Sequence, residues 1–191
     1  MKTQAQVYQA PGFSWAEHDD WLEVNETFGY LFRRHGERLG GVRAHARAAL
    51  ENLESWFELF NRYCRETCPS CRAACCREAR VAYDFRDLLL IHALGLEPPP
   101  HQLRRHEEEH CRYLGPGGCG LPRVIRPFVC TWYLCQPLLD LYRRESPRFQ
   151  REQSARMTTA QQNRNLMEEE FIRVVVQGPD FSLSGEKEPR S

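Results

Sequence analysis

The clearest repeat of apolar positions lies between residues 37 and 63, where Val42, Ala46, Ala49, Leu50, Leu53, Trp56, Phe57, Phe60 and Tyr63 recur at three- and four-residue steps. That is the period of a helix burying one wide stripe. It predicts a long amphipathic helix that delivers the chain to Cys64 and Cys68. Pro69 stops it, because proline lacks the amide hydrogen a continuing helix needs. Upstream, Ser14-Trp15-Ala16-Glu17 reads as a capping box opening a shorter helix toward Arg34. Downstream, Asp84 is placed to cap a helix through Phe85, Leu88, Leu89, Ile91 and Leu94, with Gly95 as its stop and Pro98-Pro99-Pro100 as a firm break.

The polar segment 101–110 predicts a solvated helix, and Gly115-Pro116-Gly117-Gly118 an irregular loop around Cys119. Residues 133–144 read as helical, with Pro137 in the first turn or at a kink. Ser146-Pro147 has the form of an N-cap followed by proline at the first helical position. The last long helix then uses Met157, Ala160, Met167, Phe171, Val174 and Val175, a stripe that Arg164 interrupts. The expected architecture is mainly α. Residues 1–63 form an N-terminal helical segment, 64–135 a cysteine-rich central region, 136–178 C-terminal helices and 179–191 a polar tail.

Charge removes some function classes. Lys+Arg and Asp+Glu both number 26 in the 191 residues, so there is no global field of the kind that holds nucleic acid or an anionic membrane. Lysine occurs only at Lys2 and Lys187, leaving arginine as the working cation. The first residues lack the apolar run of a signal peptide, and no stretch approaches a membrane-spanning length, so a cytoplasmic protein is expected. In a reducing compartment a cysteine-dense chain binds metal more often than it forms disulfides.

The nine cysteines fall into two groups, Cys64, Cys68, Cys71, Cys75 and Cys76, then Cys111, Cys119, Cys130 and Cys135. Thiolates two to four residues apart on a turn converge on one small ion, and a second group further along the chain completes its shell. Cys68-Pro-Ser-Cys71 is such a turn. The vicinal Cys75-Cys76 is different, since adjacent side chains diverge; the pattern therefore suits either two metals or one multinuclear cluster with a helper thiol. Cys64 stands as an alternative to Cys68 as ligand, because Cys64-x3-Cys68-x2-Cys71 also matches iron–sulfur spacing; the other reading is a small buried hydrophobe at a helix end.

In order, the chain carries Cys68-x2-Cys71-x3-Cys75-Cys76, then Cys111-Arg112-Tyr113-Leu114, Gly118-Cys119, and Arg126-Pro127-x2-Cys130-x4-Cys135. This resembles the CxxCxxCC cysteine-cluster (YkgJ-like) family, a zinc- or iron-chelating domain, over residues 64–135. The resemblance implies that Cys68, Cys71, Cys75, Cys76, Cys111, Cys119, Cys130 and Cys135 are the metal ligands and that the cofactor is zinc or an iron–sulfur cluster. The chain departs from the family pattern where Arg72-Ala73-Ala74 puts three residues before the vicinal pair and where Thr131 follows Cys130. A flagellin lysine methylase is related to the same motif, but this chain has no glycine-rich fingerprint for a methyl donor.

Arg126 has two readings, a donor to cluster sulfurs or a substrate carboxylate, or a loop arginine pairing with a glutamate. Trp132 and Tyr133 are expected to wall the site from water, and His92 to be a packed histidine. A competing motif, His106-Glu107-Glu108-Glu109-His110, matches the zinc peptidase pattern H-E-x-x-H, and His110 is an alternate ligand. The surrounding charge favours a solvated face. The expected function is metal chelation by the cysteines, with a zinc-stabilised interaction module and the peptidase as alternatives. The expected partner is the metal ion or cluster, with room for a protein partner and none for nucleic acid or membrane.

Overall fold

A computed structural model describes residues 15–71, 75–106 and 109–176. The described residues are mainly helical: α1 (His18–Arg34), α2 (Gly40–Thr67), a 3-10 turn (Cys68–Ser70), α3 (Cys75–Glu78), α4 (Phe85–Ala93), a two-stranded hairpin of β1 (Leu114–Gly115) and β2 (Gly118–Cys119), a second 3-10 turn (Arg123–Ile125), α5 (Val129–Trp132), α6 (Gln136–Tyr142) and α7 (Pro147–Val175). No helix among them is long and apolar enough to cross a membrane.

The long helices α2 and α7 lie antiparallel, as their bridging pairs show. Ser55 donates to Gln153 Oε1 at 3.0 Å and Trp56 Nε1 to the Gln153 carbonyl at 3.1 Å, while His45 Nδ1 lies 3.1 Å from Asn163 Oδ1. The predicted stripe of α2 is the reason: Val42, Ala46, Ala49, Leu53, Trp56, Phe60 and Tyr63 are all buried, joined by Leu59. Leu50 and Phe57 sit half-buried at its margin.

Two apolar clusters form along this pair. The larger joins Trp21, Phe28 and Phe32 of α1 to the first half of α2, to Leu88, Leu89 and Ile91 of α4, and to Met167, Phe171 and Val174 of α7. The smaller packs Trp56, Leu59, Phe60 and Tyr63 against Leu138 of α6. Between them the chain leaves the helices and makes its cysteine-bearing turns.

Helix ends follow the local chemistry. Asp84 accepts from the Asp87 amide at 2.8 Å and Asp87 returns the bond to the Asp84 amide at 3.2 Å, a reciprocal box that opens α4. Gly95 takes φ +68° just beyond it, the left-handed conformation glycine adopts without penalty. Ser146 caps α7 with Pro147 at its start. Ser14 lies outside the described residues; α1 begins at His18 with Glu17 in the cap position and no side-chain cap bond.

Three expectations change. The 133–144 helix begins only at Gln136: Tyr133 turns extended, with ψ 118°, and Pro137 in the first turn of α6 has no amide hydrogen to carry a helix back to Tyr133. The glycine-rich loop is a hairpin, with Leu114 paired to Cys119 and Gly115 to Gly118. No helix forms over the described part of 101–110, because Gln102, Leu103 and Arg104 are consecutive buried residues, a pattern one helix face does not provide. Gln102 Oε1 instead accepts from the amides of Tyr83 and Leu103 at 2.8 and 2.9 Å.

Candidate metal centre

Every cysteine whose side chain is described, Cys64, Cys68, Cys71, Cys76, Cys111, Cys119, Cys130 and Cys135, lines one cavity of about 410 Å³. Cys75 opens α3, and its side chain lies outside the described ones. None of the eight is in a disulfide, and each is partly exposed.

The cavity gathers these residues from separate elements. Cys64 lies in the last turn of α2, and Cys68 one turn further on; Pro69 then tightens the chain so that the Cys71 amide donates to the Cys68 carbonyl at 3.2 Å. Cys76 and Cys111 are tied backbone to backbone, the Cys111 amide donating to the Cys76 carbonyl at 3.0 Å. The hairpin brings Cys119 against the first cluster. Gly118 adopts φ +104°, a conformation that favours glycine, and a β-carbon built there would lie 3.7 Å from Cys68 Cβ, in ordinary contact with it. Cys130 is in α5, held by its amide to the Pro127 carbonyl at 2.9 Å, and Cys135 caps α6.

Arginines fix much of this frame. Arg104 is 2 % exposed, and its Nη2 donates to the Cys76 carbonyl at 2.8 Å while Nη1 donates to the Glu109 carbonyl. Arg126 donates from Nε to the Leu121 carbonyl at 2.8 Å and from Nη2 to the Cys119 carbonyl at 3.2 Å. Its guanidinium therefore holds the backbone of a cysteine-bearing strand, and among the described residues it pairs with neither sulfur nor glutamate. The sulfur-directed arginine is Arg123, which no motif singled out: Nη2 donates to Cys64 Sγ at 3.4 Å, Nε donates to Asn61 Oδ1 at 2.6 Å, and the guanidinium lies 5.2 Å over the Phe60 ring. Asn61 and Phe60 orient it from α2, a pairing 62 residues apart that no local spacing announces.

The thiols are electrostatically unequal. The hydrogen bond from Cys68 comes first among the causes that bring Cys64 down to about 6, with Arg123 adding to it. Cys68 is pushed up by that same bond and then by burial. Burial leads in raising Cys130, Cys111 and Cys135 as well, and neighbouring sulfurs add to it for each. Ionising Cys68, Cys111, Cys130 and Cys135 by themselves thus costs free energy. A bound cation reverses that cost, since a coordinating thiol loses its proton outright.

Among the described residues, the lining carries no Asp, Glu or His. His106 and His110 lie outside it, both exposed, with His110 Nδ1 3.4 Å from the Arg77 carbonyl and Glu107 and Glu108 outside the described residues. No helix covers the described residues of that motif, whereas a zinc peptidase carries its two histidines one turn apart on a helix. Trp132 and Tyr133 do line the cavity. His92 is packed as expected, stacked 5.2 Å from Phe28 and bonded through Nε2 to Asn25 Oδ1 at 3.0 Å.

Among the described residues, no three Cys, His, Asp or Glu side chains stand in a geometry that would hold a metal ion. No family model, curated protein or solved structure matches the chain.

Proposed function

We propose that this chain is a cysteine-cluster metal protein that binds zinc or an iron–sulfur cluster. The observation that carries the reading is the convergence of cysteines from α2, the turn after it, α3, the hairpin and α5 on one cavity, with no carboxylate or imidazole among the described residues of its wall. A soft, all-sulfur donor set suits zinc or iron–sulfur clusters and disfavours magnesium and calcium, which take oxygen. The ligands are drawn from Cys68, Cys71, Cys75, Cys76, Cys111, Cys119, Cys130 and Cys135, the residues that the resemblance to the CxxCxxCC family picks out. Cys64, with Arg123 on its sulfur, lines the same cavity outside that set.

Sulfurs around a tetrahedral zinc lie about 3.8 Å apart, given a bond of about 2.3 Å. The sulfurs here line a wall and do not surround a point, so the reading includes a shift of the cysteine-bearing turns on binding. Such coupling of metal affinity to local folding is common in thiolate sites. Bound metal would staple segments that share little apolar core of their own. Zinc closed by four thiolates supplies structure; an iron–sulfur cluster adds electron transfer or, with an open iron, substrate activation.

The test is anaerobic purification followed by metal analysis and an absorption spectrum. Broad visible charge-transfer bands with matching iron and sulfide identify the cluster, whereas a colourless protein with stoichiometric zinc identifies the zinc form. A folded protein that holds neither overturns the proposal.

A further inference from the structure

The same cavity wall carries six arginines, Arg65, Arg77, Arg80, Arg104, Arg123 and Arg126, and no acidic side chain among the described residues. Thiolate–metal charge does not balance them. Two zinc ions with eight thiolates carry about four negative charges. One four-iron cluster with four thiolates, in its usual oxidised state, carries about two. In either case, or with no metal at all, an excess of positive charge faces the cavity.

Arg80 has an interaction of its own, and four of the other five arginines divide into two sets. Arg123 and Arg126 spend their donors on Asn61, Cys64 and backbone carbonyls. Arg65 and Arg77 are exposed at the cavity, and their guanidinium groups make no hydrogen bond or ion pair with any described residue. Between these sets, Arg104 is 2 % exposed and its Nε hydrogen has no acceptor among the described residues, an unmet donor in a buried guanidinium. A buried donor left without an acceptor is destabilising unless something else supplies one. The remainder of the wall is apolar, from Leu103, Leu114, Leu121, Val129 and Leu138.

We infer that the cavity binds a small molecule bearing a carboxylate or phosphate, with Arg65 and Arg77 gripping the oxyanion at the mouth and Arg104 as the inner donor. Planar guanidinium forks match both oxyanions, and the apolar wall accepts the body of the ligand. The inference goes beyond metal binding and stands without it, since the arginines keep their charge whether or not the thiols hold an ion.

Isothermal titration calorimetry tests it on the full chain as purified anaerobically, at matched ionic strength, with inorganic phosphate and benzoate as probes. The metal content is measured on the same samples. Saturable binding of at least one probe is expected, weakened tenfold or more in the Arg65→Ala/Arg77→Ala double variant, whose metal content and melting temperature stay those of the parent. No saturable binding of either probe, or binding that the double variant leaves unchanged, overturns the inference. Absence of metal with oxyanion binding intact refutes only the metal reading; metal present without oxyanion binding refutes only this one.

Discussion

Arg164 of α7 donates from Nη2 to Asp87 Oδ1 of α4 at 2.9 Å, and both side chains are almost wholly buried. The same carboxylate oxygen accepts from the Phe128 amide at 2.9 Å, two residues before Cys130, and the Arg164 guanidinium lies 4.5 Å over the Phe128 ring. One buried ion pair thus connects the two helices to the segment that carries a proposed ligand. The arginine that breaks the apolar stripe of α7 is the means by which the helical scaffold holds the edge of the cavity.

Replacing Arg164 by Met leaves the Asp87 charge buried without its partner. Breaking a buried pair from one side costs about 3–5 kcal/mol. Urea unfolding of Arg164→Met is expected to show a loss of that size with unchanged slope. A loss below about 1 kcal/mol means the pair does not bear on stability.

His92 gives the fold a pH dependence. Burial lowers it to about 4, so it stays neutral in the fold at pH values where the unfolded chain takes up a proton near pH 6.5. A base with a depressed folded value contributes stability that is present above its unfolded value and is lost as pH falls toward its folded one. Between pH 7 and 4 the loss from this residue should be roughly 1–2 kcal/mol, allowing for the partial exposure of the ring. His92→Gln, which keeps a donor for Asn25, should flatten that part of the stability profile; an unchanged profile shows that other groups set it.

Gly118 takes a backbone conformation that side chains rarely adopt, φ +104°. Gly118→Ala should cost about 1–3 kcal/mol of local stability and lower metal loading by misplacing Cys119. Equal loading in the variant and the parent separates the hairpin from the site.

The cysteines differ in their expected effect. Cys130→Ser should lose metal and soften the centre, whereas Cys64→Ser, outside the ligand set, should keep its metal. The His106→Ala/His110→Ala double variant should keep metal content and stability unchanged, since neither histidine lines the cavity. Metal lost from that double variant would restore the histidine reading.

Signals carried within a few residues were legible in the chain. The stripe of α2, the Asp84 cap with its stop at Gly95, and Ser146-Pro147 before α7 all report local backbone chemistry, and the structure follows each of them. What escaped depends on partners distant in sequence. Polarity made 101–110 look solvated, yet Arg104 is buried because the Cys76 carbonyl, 28 residues away, takes its hydrogen bond. Arg126 was conspicuous because it precedes Pro127 and Cys130, while Arg123, the donor to a sulfur, is placed by Asn61 and Phe60 on α2. The cysteine spacing pointed to two metals or to one multinuclear cluster, and the described sulfurs share one cavity; the ligand geometry itself lies beyond what spacing reports.

The central claim is that the cysteines hold metal, and native mass spectrometry of the anaerobically purified chain tests it most directly. The account predicts a folded species heavier than the bare polypeptide by stoichiometric zinc or by an iron–sulfur cluster, with that excess retained in Cys64→Ser and lost in Cys130→Ser. A folded species at the mass of the polypeptide alone contradicts it.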